Sequence, residues 1–372
     1  MITAVVMVGE KSSGANLGSG LARPLAWVQD ARRAAASDLV IQLGRQELVE
    51  RIILVSPDPL EPIDVGNEPV TLDYLQSPPG QIHVGQYLAE ITTRWQVRRL
   101  LYFGGGSAPL LDDLALTGVV RKLADLEEGV ITNNQFASDW AAITPAPILV
   151  DWVQRLPQDN MLGWVLSTEA SLPVYAMPAT AAYRLDIDTP TDLLTLALHP
   201  AIGPHLARHL AALPLDTGRL RSALTVLATP ASQVFIAGRL SPGPWGALNQ
   251  ATQCWLRVIS EERGMVSSGR LDRGEVYSLL AEMIQQTGVN HFFTNLAQQV
   301  QAAFIDTRVL LAHHGSWPAE SDRFASDLGL VDQIDDPWLR DFTAAAVATP
   351  IPIILGGHGL MAGDLLAFCD LL

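Results

Sequence analysis

In the first half of the chain, short continuous apolar runs alternate with longer stretches whose apolar residues recur at helical spacing. "TAVVMVG", "RIILVSPDP" and "RRLLYFGGG" have the length and continuity of strands buried on both faces. Between them "PLAWVQDARRAAASDLVIQLGRQ", "QIHVGQYLAEITTRWQ" and "PLLDDLALTGVVRKLADL" have helical spacing; "GVITNN" is extended and "PILVDWVQRL" is a further expected helix. Strands separated by helices predict right-handed βαβ units, hence an α/β fold with a mainly parallel sheet and helices on both faces. Prolines and glycines in "HPAIGPHLARHLAALPLDTGRL" mark a break, and the pattern after it is mostly helical. The expected division is an α/β domain over 1–205 and a mostly helical C-terminal domain over 206–372. Two short apolar segments there, "TRVLLAHHG" and "IPIILGGHG", read as strands or buried helical turns.

Composition narrows the functional classes. At 372 residues and 48% apolar, the chain has material for two ordinary cores. A formal charge of -15 repels phosphate backbones and argues against nucleic acid as a partner. Only two cysteines, Cys254 and Cys369, fit a reducing cytoplasm. The N-terminus lacks a basic n-region and reads as a first strand. The C-terminal apolar stretch is interrupted by Gly356, His358 and Asp364, so a strand and terminal helix, with no membrane span, are expected.

The stretch "AYRLDIDTPTDLLTLAL", residues 182–198, carries the densest candidate chemistry. Thr189, Pro190 and Asp192 are accounted for as N-cap, first-turn proline and capping-box partner of a helix. Asp186 and Asp188 are left over. Tyr183 to Ile187 alternates like a strand, and residues two apart on a strand share a face, so these carboxylates are expected to converge on one cation. Mg²⁺ is typically held by one or two carboxylates and substrate phosphates. The plainer reading is a solvated strand end.

Residues 1–200 resemble the GT-A-type nucleotidyltransferase family, most nearly its molybdenum-cofactor-type and 2-phospholactate guanylyltransferases. The resemblance rests on "VVMVGEKSSGANLGSGLARPL", with Arg23-Pro24-Leu25 where the family has Lys-Pro-Leu, on "YFGGGSAPLL", on "VITNNQFASDWAAITPA", and on 183–194 as the family's late DxDTPxDL element. It implies a GT-A-like sheet and a nucleoside triphosphate bound with Mg²⁺. Gly9, Ser12, Ser13 and Gly14 would wrap the nucleotide, with Arg23 and Lys11 on its phosphates. Gly105, Gly106 and Ser107 would line the second glycine turn, and Asn133 and Asn134 would orient base or acceptor. Asp186 and Asp188 would hold the metal. The family's Gly-Gly-Asp aspartate is missing, since Gly106 and Ser107 stand in its place. Asp139 is the better substitute, because Asp112 and Asp113 open a helix where acids favour the dipole.

In the second half, Glu261, Glu262, Arg263, Arg270, Asp272, Arg273 and Glu275 cluster within "VISEERGMVSSGRLDRGEV". Solvated ion pairs explain most of such a cluster; the alternative is arginines that meet an anionic ligand. His313-His314 could handle metal or protons, and "LGGHG" could bring backbone and His358 to a ligand, although a tight turn explains it as well.

The leading functional expectation is transfer of a nucleoside monophosphate from a triphosphate to a small anionic acceptor. A glycosyltransferase is the second, since "DID" is an Asp-x-Asp. A non-catalytic nucleotide-binding scaffold is the third, favoured by Gly106-Ser107.

Overall fold

The computed structural model describes residues 1–9, 23–58, 63, 70–78 and 82–372, with Arg23 described only as the start of a helix. These form two compact units. The first holds the opening strand, Gln29–Asp186 and Ala201–His209; the second holds Ile187–Pro200, Leu210–Leu372 and residues up to Val28 of the first helix.

The first unit is built on seven strands: β1 (Ile2–Met7), β2 (Val49–Ser56), β3 (Thr71–Gln76), β4 (Leu100–Gly104), β5 (Gly129–Thr132), β6 (Trp140–Thr144) and β7 (Val174–Ala176). Their order is β3-β2-β1-β4-β6-β5-β7, and β6 alone runs antiparallel to its neighbours β4 and β5. The expected mainly parallel α/β sheet is therefore present. Alternate residues of β1 and β2 serve two cores: Ala4, Val6, Ile52 and Leu54 on one face, Val5, Met7, Ile53 and Val55 on the other. This two-sided burial explains why the runs look continuous in sequence. Each such aliphatic side chain contributes about 1.5–3 kcal/mol of transfer free energy.

Helices α1 (Arg23–Gly44), α2 (Val84–Arg94) and α3 (Asp113–Asp125) fall where their apolar spacing places them. Asp112 caps α3, accepting the Ala115 N–H at 2.7 Å, so the structural reading of that acid holds. Two expectations need correction. "PILVDWVQRL" forms two short 3₁₀ turns, Ala146–Val150 and Val153–Arg155, in place of one helix. Tyr183 to Ile187 is not a strand: Ala181–Arg184 makes a helical turn, and only one isolated bridge, Ser107 with Asp186, follows it. The alternation seen there comes from a turn with one buried side, and the shared-face argument for Asp186 and Asp188 loses its basis.

The second unit holds most of its residues in helices, but they surround a sheet of four strands: β8 (Gln233–Gly238), β9 (Trp255–Ser260), β10 (Ala302–Asp306) and β11 (Ile353–Gly356). All are parallel, in the order β11-β10-β8-β9. β11 lies within "IPIILGGHG", whereas "TRVLLAHHG" contributes the helix Thr307–His313. The mostly helical pattern expected after the break gives way within "WGALNQATQCWLRVISEERG" and "NHFFTNLAQQVQAAF", where β9 and β10 begin. Among the described residues no helix is long and apolar enough to cross a membrane.

Candidate functional site

In the first unit, the carboxyl ends of β1 and β4 meet at a point where a side chain does not fit. A Cβ on Gly105 would lie 2.9 Å from the Met7 carbonyl oxygen and 3.1 Å from the Val8 Cα. Glycine is required there for close backbone approach. The turn that follows is closed by Ser107, whose N–H and hydroxyl donate to the Gly104 carbonyl at 3.1 and 2.7 Å. Ser107 and Gly106 are both buried. The Ala108 N–H donates to the Leu185 carbonyl at 3.0 Å, which sets Asp186 beside Ser107.

Two further acids gather around the same strand. Asp139 accepts from the Asn133 side-chain amide at 2.5 Å, and its own N–H donates back to Asn133 Oδ1 at 3.1 Å. Asp159 Oδ2 accepts the Tyr102 hydroxyl at 2.8 Å and would lie 3.3 Å from a Cβ on Gly104. Tyr102 is fully buried. Burial first, then Asp159, and after it Asp186 and Asp139, push its hydroxyl well above the ordinary tyrosine range, so it remains a proton donor. Arg184 adds a cation: burial lowers its pKa, the Asp139 charge opposes that shift, and its buried Nε has no hydrogen-bond partner among the described residues.

The expected residues thus separate into three groups. Gly105, Gly106, Ser107, Asn133, Asp139 and Asp186 are brought to one end of β4 and its neighbours. Asn134 instead shapes its own loop, accepting the Phe136 N–H at 3.1 Å. Gly9 is exposed at the end of β1, where its carbonyl accepts from Arg33 Nη1 at 2.9 Å. Lys11, Ser12, Ser13, Gly14 and the Arg23 side chain lie outside the described residues.

Asp188 belongs to the second unit. It is exposed, and its N–H and that of Thr189 donate to Asp192 Oδ2 at 2.7 and 2.6 Å, completing the expected capping arrangement. Asp192 lies wholly buried against Asp364. Burial, reinforced by Asp364, raises its pKa, and burial raises that of Asp364 to about 6. His313 accepts the Ser278 N–H at 3.1 Å, and His314 packs 4.4 Å from the Trp338 ring centre. Among the described residues no three His, Cys, Asp or Glu side chains converge as metal ligands. Two cavities of about 390 and 350 Å³ open on the helical side of the second unit, and none of the residues above lines them.

Sequence reasoning missed Tyr102, Asp159, Arg184 and Arg33. The alternation Leu100, Tyr102, Gly104 along β4 was a usable signal for Tyr102, since it puts a hydroxyl on the face leading to the glycine turn. Asp159, in an irregular segment, carries no such signal.

No protein-family model matches the chain, and no curated protein matches it. Solved structures similar to it include a cytidylyltransferase from Leptospira borgpetersenii, 16% identical over 53% of this chain and 84% of that one, with a TM-score of 0.35. A nucleotidyl transferase from Methanothermobacter is 17% identical over 56% and 98%, with a TM-score of 0.37. The glycosyltransferase GlyE of Streptococcus pneumoniae is 10% identical over 95% and 90%, with a TM-score of 0.31. Likeness at this level carries no argument about activity, which rests on the site.

Proposed function

We propose that the first unit binds a nucleoside triphosphate and transfers its nucleoside monophosphate to a small anionic acceptor, releasing pyrophosphate. The observation that carries this reading is the pairing of Ser107 with Asp186 at the end of β4, with Asp139 and Arg184 alongside. Glycine-lined backbone at Gly104–Ser107 lets phosphate approach closely. Arg184, whose Nε has no partner among the described residues, is a cation suited to phosphate oxygens, joined by Lys11 if the opening loop acts as the resemblance implies. Asn133 holds Asp139 in position.

Asp186 and Asp139 would hold Mg²⁺. Two carboxylates with substrate phosphates suffice for this ion, so a cluster of three ligands is not needed. When bound, the ion supplies charge neutralisation on the phosphates. The chain's own part is positioning and electrostatic stabilisation of an in-line displacement.

A second reading, nucleotide binding without catalysis, is favoured by Ser107. Its hydroxyl is committed to the Gly104 carbonyl and cannot replace an anionic metal ligand. One experiment tests both. Thermal unfolding of the full chain is followed with each nucleoside triphosphate, with and without Mg²⁺, in the parent and in Asp186→Asn. A Mg²⁺-dependent rise of several degrees, lost in the variant, is expected; at a hundredfold excess over Kd, ligand binding stabilises by about 2.7 kcal/mol. Pyrophosphate release separates the enzyme from the binder. Failure of every nucleotide to stabilise the parent sinks both readings.

A further inference from the structure

In open parallel sheets, ligands usually sit beyond the carboxyl ends of the strands, where the winding reverses. In the order β11-β10-β8-β9 that point lies between β8 and β10. Here protein groups take it up. Gly238 ends β8 at φ +137°, and a Cβ on it would lie 2.3 Å from the Asp306 Cβ at the end of β10. The next residue, Arg239, makes a two-pronged pair with Asp306, Nε to Oδ2 at 2.6 Å and Nη2 to Oδ1 at 3.1 Å. Arg239 is thereby committed within the protein. Open space in the second unit lies on a face of the sheet instead.

That space is the cavity of about 350 Å³ between the outer strand β9 and two helices, Leu279–Thr287 and Val289–Gln299. Its origin can be followed along the chain. Gly288, at φ +81°, ends the first helix and begins the second, so the backbone turns a corner there. The second helix lays Phe292 and Leu296, followed by Val300, on the sheet at four-residue spacing, and all three are buried. Asn295 and Gln299 form the neighbouring stripe of the same helix and also line the cavity. On β9, Trp255, Arg257 and Ile259 share a face, and Arg257 lies opposite Phe235 of β8 in the parallel register. β9 ends the sheet on its side, and none of its residues is fully buried, so the helices cover this face only in part. Phe235, Phe292 and Leu296 make a buried apolar floor; Arg257, Met283 and Thr287 make an exposed rim.

Among the described residues lining this cavity, Arg257 alone is charged. Its Nε donates to Gln233 Oε1 at 3.3 Å, and its two Nη groups have no partner among the described residues. A charge on an edge strand discourages pairing with another sheet, but that role calls for no cavity beside it. Apolar walls with a few polar groups, in a space of this size, are the usual form of a small-molecule site. The other cavity, of about 390 Å³, has no charged lining residue, and nothing there selects a ligand. We propose that the cavity beneath β9 binds an apolar monocarboxylic acid, its carboxylate on the Nη groups of Arg257 and its hydrocarbon body against Phe235, Phe292 and Leu296. The planar oxygens of a carboxylate suit a guanidinium, and its single charge matches the one cation present. A phosphate monoester would bring charge left unmatched, in a chain of formal charge -15. The Asn295 and Gln299 amides add neutral donors. This site is independent of the nucleotide reading of the first unit.

Equilibrium dialysis of the full-length chain tests this with octanoate, octanol, octylamine and acetate, each below the concentration at which it self-associates. Saturable uptake of octanoate is expected, about tenfold tighter than octanol, the worth of one charge-assisted contact, with none of acetate. Arg257→Glu should lose octanoate and gain octylamine. Thr287→Trp, which fills the cavity from its rim, should lose octanoate, and Asp186→Asn should leave its uptake unchanged. Arg257 and Thr287 are exposed, so the unfolding midpoint of each variant should match the parent. If Arg257→Glu lowers it, Arg257→Gln takes its place, with octanoate weakened to the level of octanol. The proposal is overturned if octanoate shows no saturable uptake, if octanol binds as tightly, if neither rim substitution weakens binding, or if binding depends on Asp186.

Discussion

The two parallel sheets treat charge at their carboxyl ends differently. At β4, Asp139 and Asp159 take hydrogen bonds from neutral groups, the Asn133 amide and the Tyr102 hydroxyl, and Asp186 lies close by. In the second unit two buried acids each meet a guanidinium: Asp306, at the end of β10, with Arg239, and Asp327 with Arg308 at 2.5 and 2.6 Å. The first arrangement gathers three acids at the end of one strand, with Arg184 beside Asp139. The second cancels charge within each of these two pairs. An acid-rich motif in sequence therefore says little until its donors are known.

The comparison breaks most sharply at Arg308. Both partners of the Arg308–Asp327 pair are buried. Arg308→Ala strands a buried carboxylate and should cost about 3–5 kcal/mol in chemical unfolding. Replacing both partners with apolar residues should recover most of it. A single variant as stable as the parent would mean that the second sheet does not depend on paired charges.

A pH series sharpens the contrast within the second unit. Asp192 and Asp364 have folded pKa values raised above the unfolded value of about 4. Their contribution is fully present below pH 4 and is lost as pH rises through about 6, where Asp364 titrates in the folded chain. Stability should thus fall over this window, by an amount on the order of 3 kcal/mol from Asp364. Asp364→Asn should flatten the slope; an unchanged slope would mean that Asp364 does not titrate in this window.

The smallest effect is expected in the first sheet. Tyr102→Phe removes the donor to Asp159 without changing the packed ring. Because Asp159 is only half-buried, water can replace part of the bond, and a loss of about 1 kcal/mol is expected. A loss as large as that at Arg308 would erase the distinction drawn between the sheets.

How far the sequence discloses all this depends on the element. β1, β2 and β4 are legible because burial on both faces makes their apolar runs continuous. β3 is not, since its residues are mostly exposed or half-buried. β8, β9 and β10 are five or six residues each and adjoin helical stretches of similar composition, so periodicity alone cannot find them. At the candidate site, the glycine turn and Asp186 stand out in the sequence through the family resemblance, whereas the strand spacing first read at Asp186 does not hold. The sequence could not show that Asp188 belongs to the other unit, because two residues of separation carry no information about which core a loop joins.

Gly238 has a consequence for how this edge can change over time. Any chiral residue there would face both a disfavoured backbone angle and the Asp306 side chain. Lineages that keep the ion pair should therefore be invariant at position 238, whereas those that drop Asp306 lose one of its two constraints. Substitutions at the two positions should appear together in descendants, making a hydrogen atom on one strand the record of a carboxylate on another.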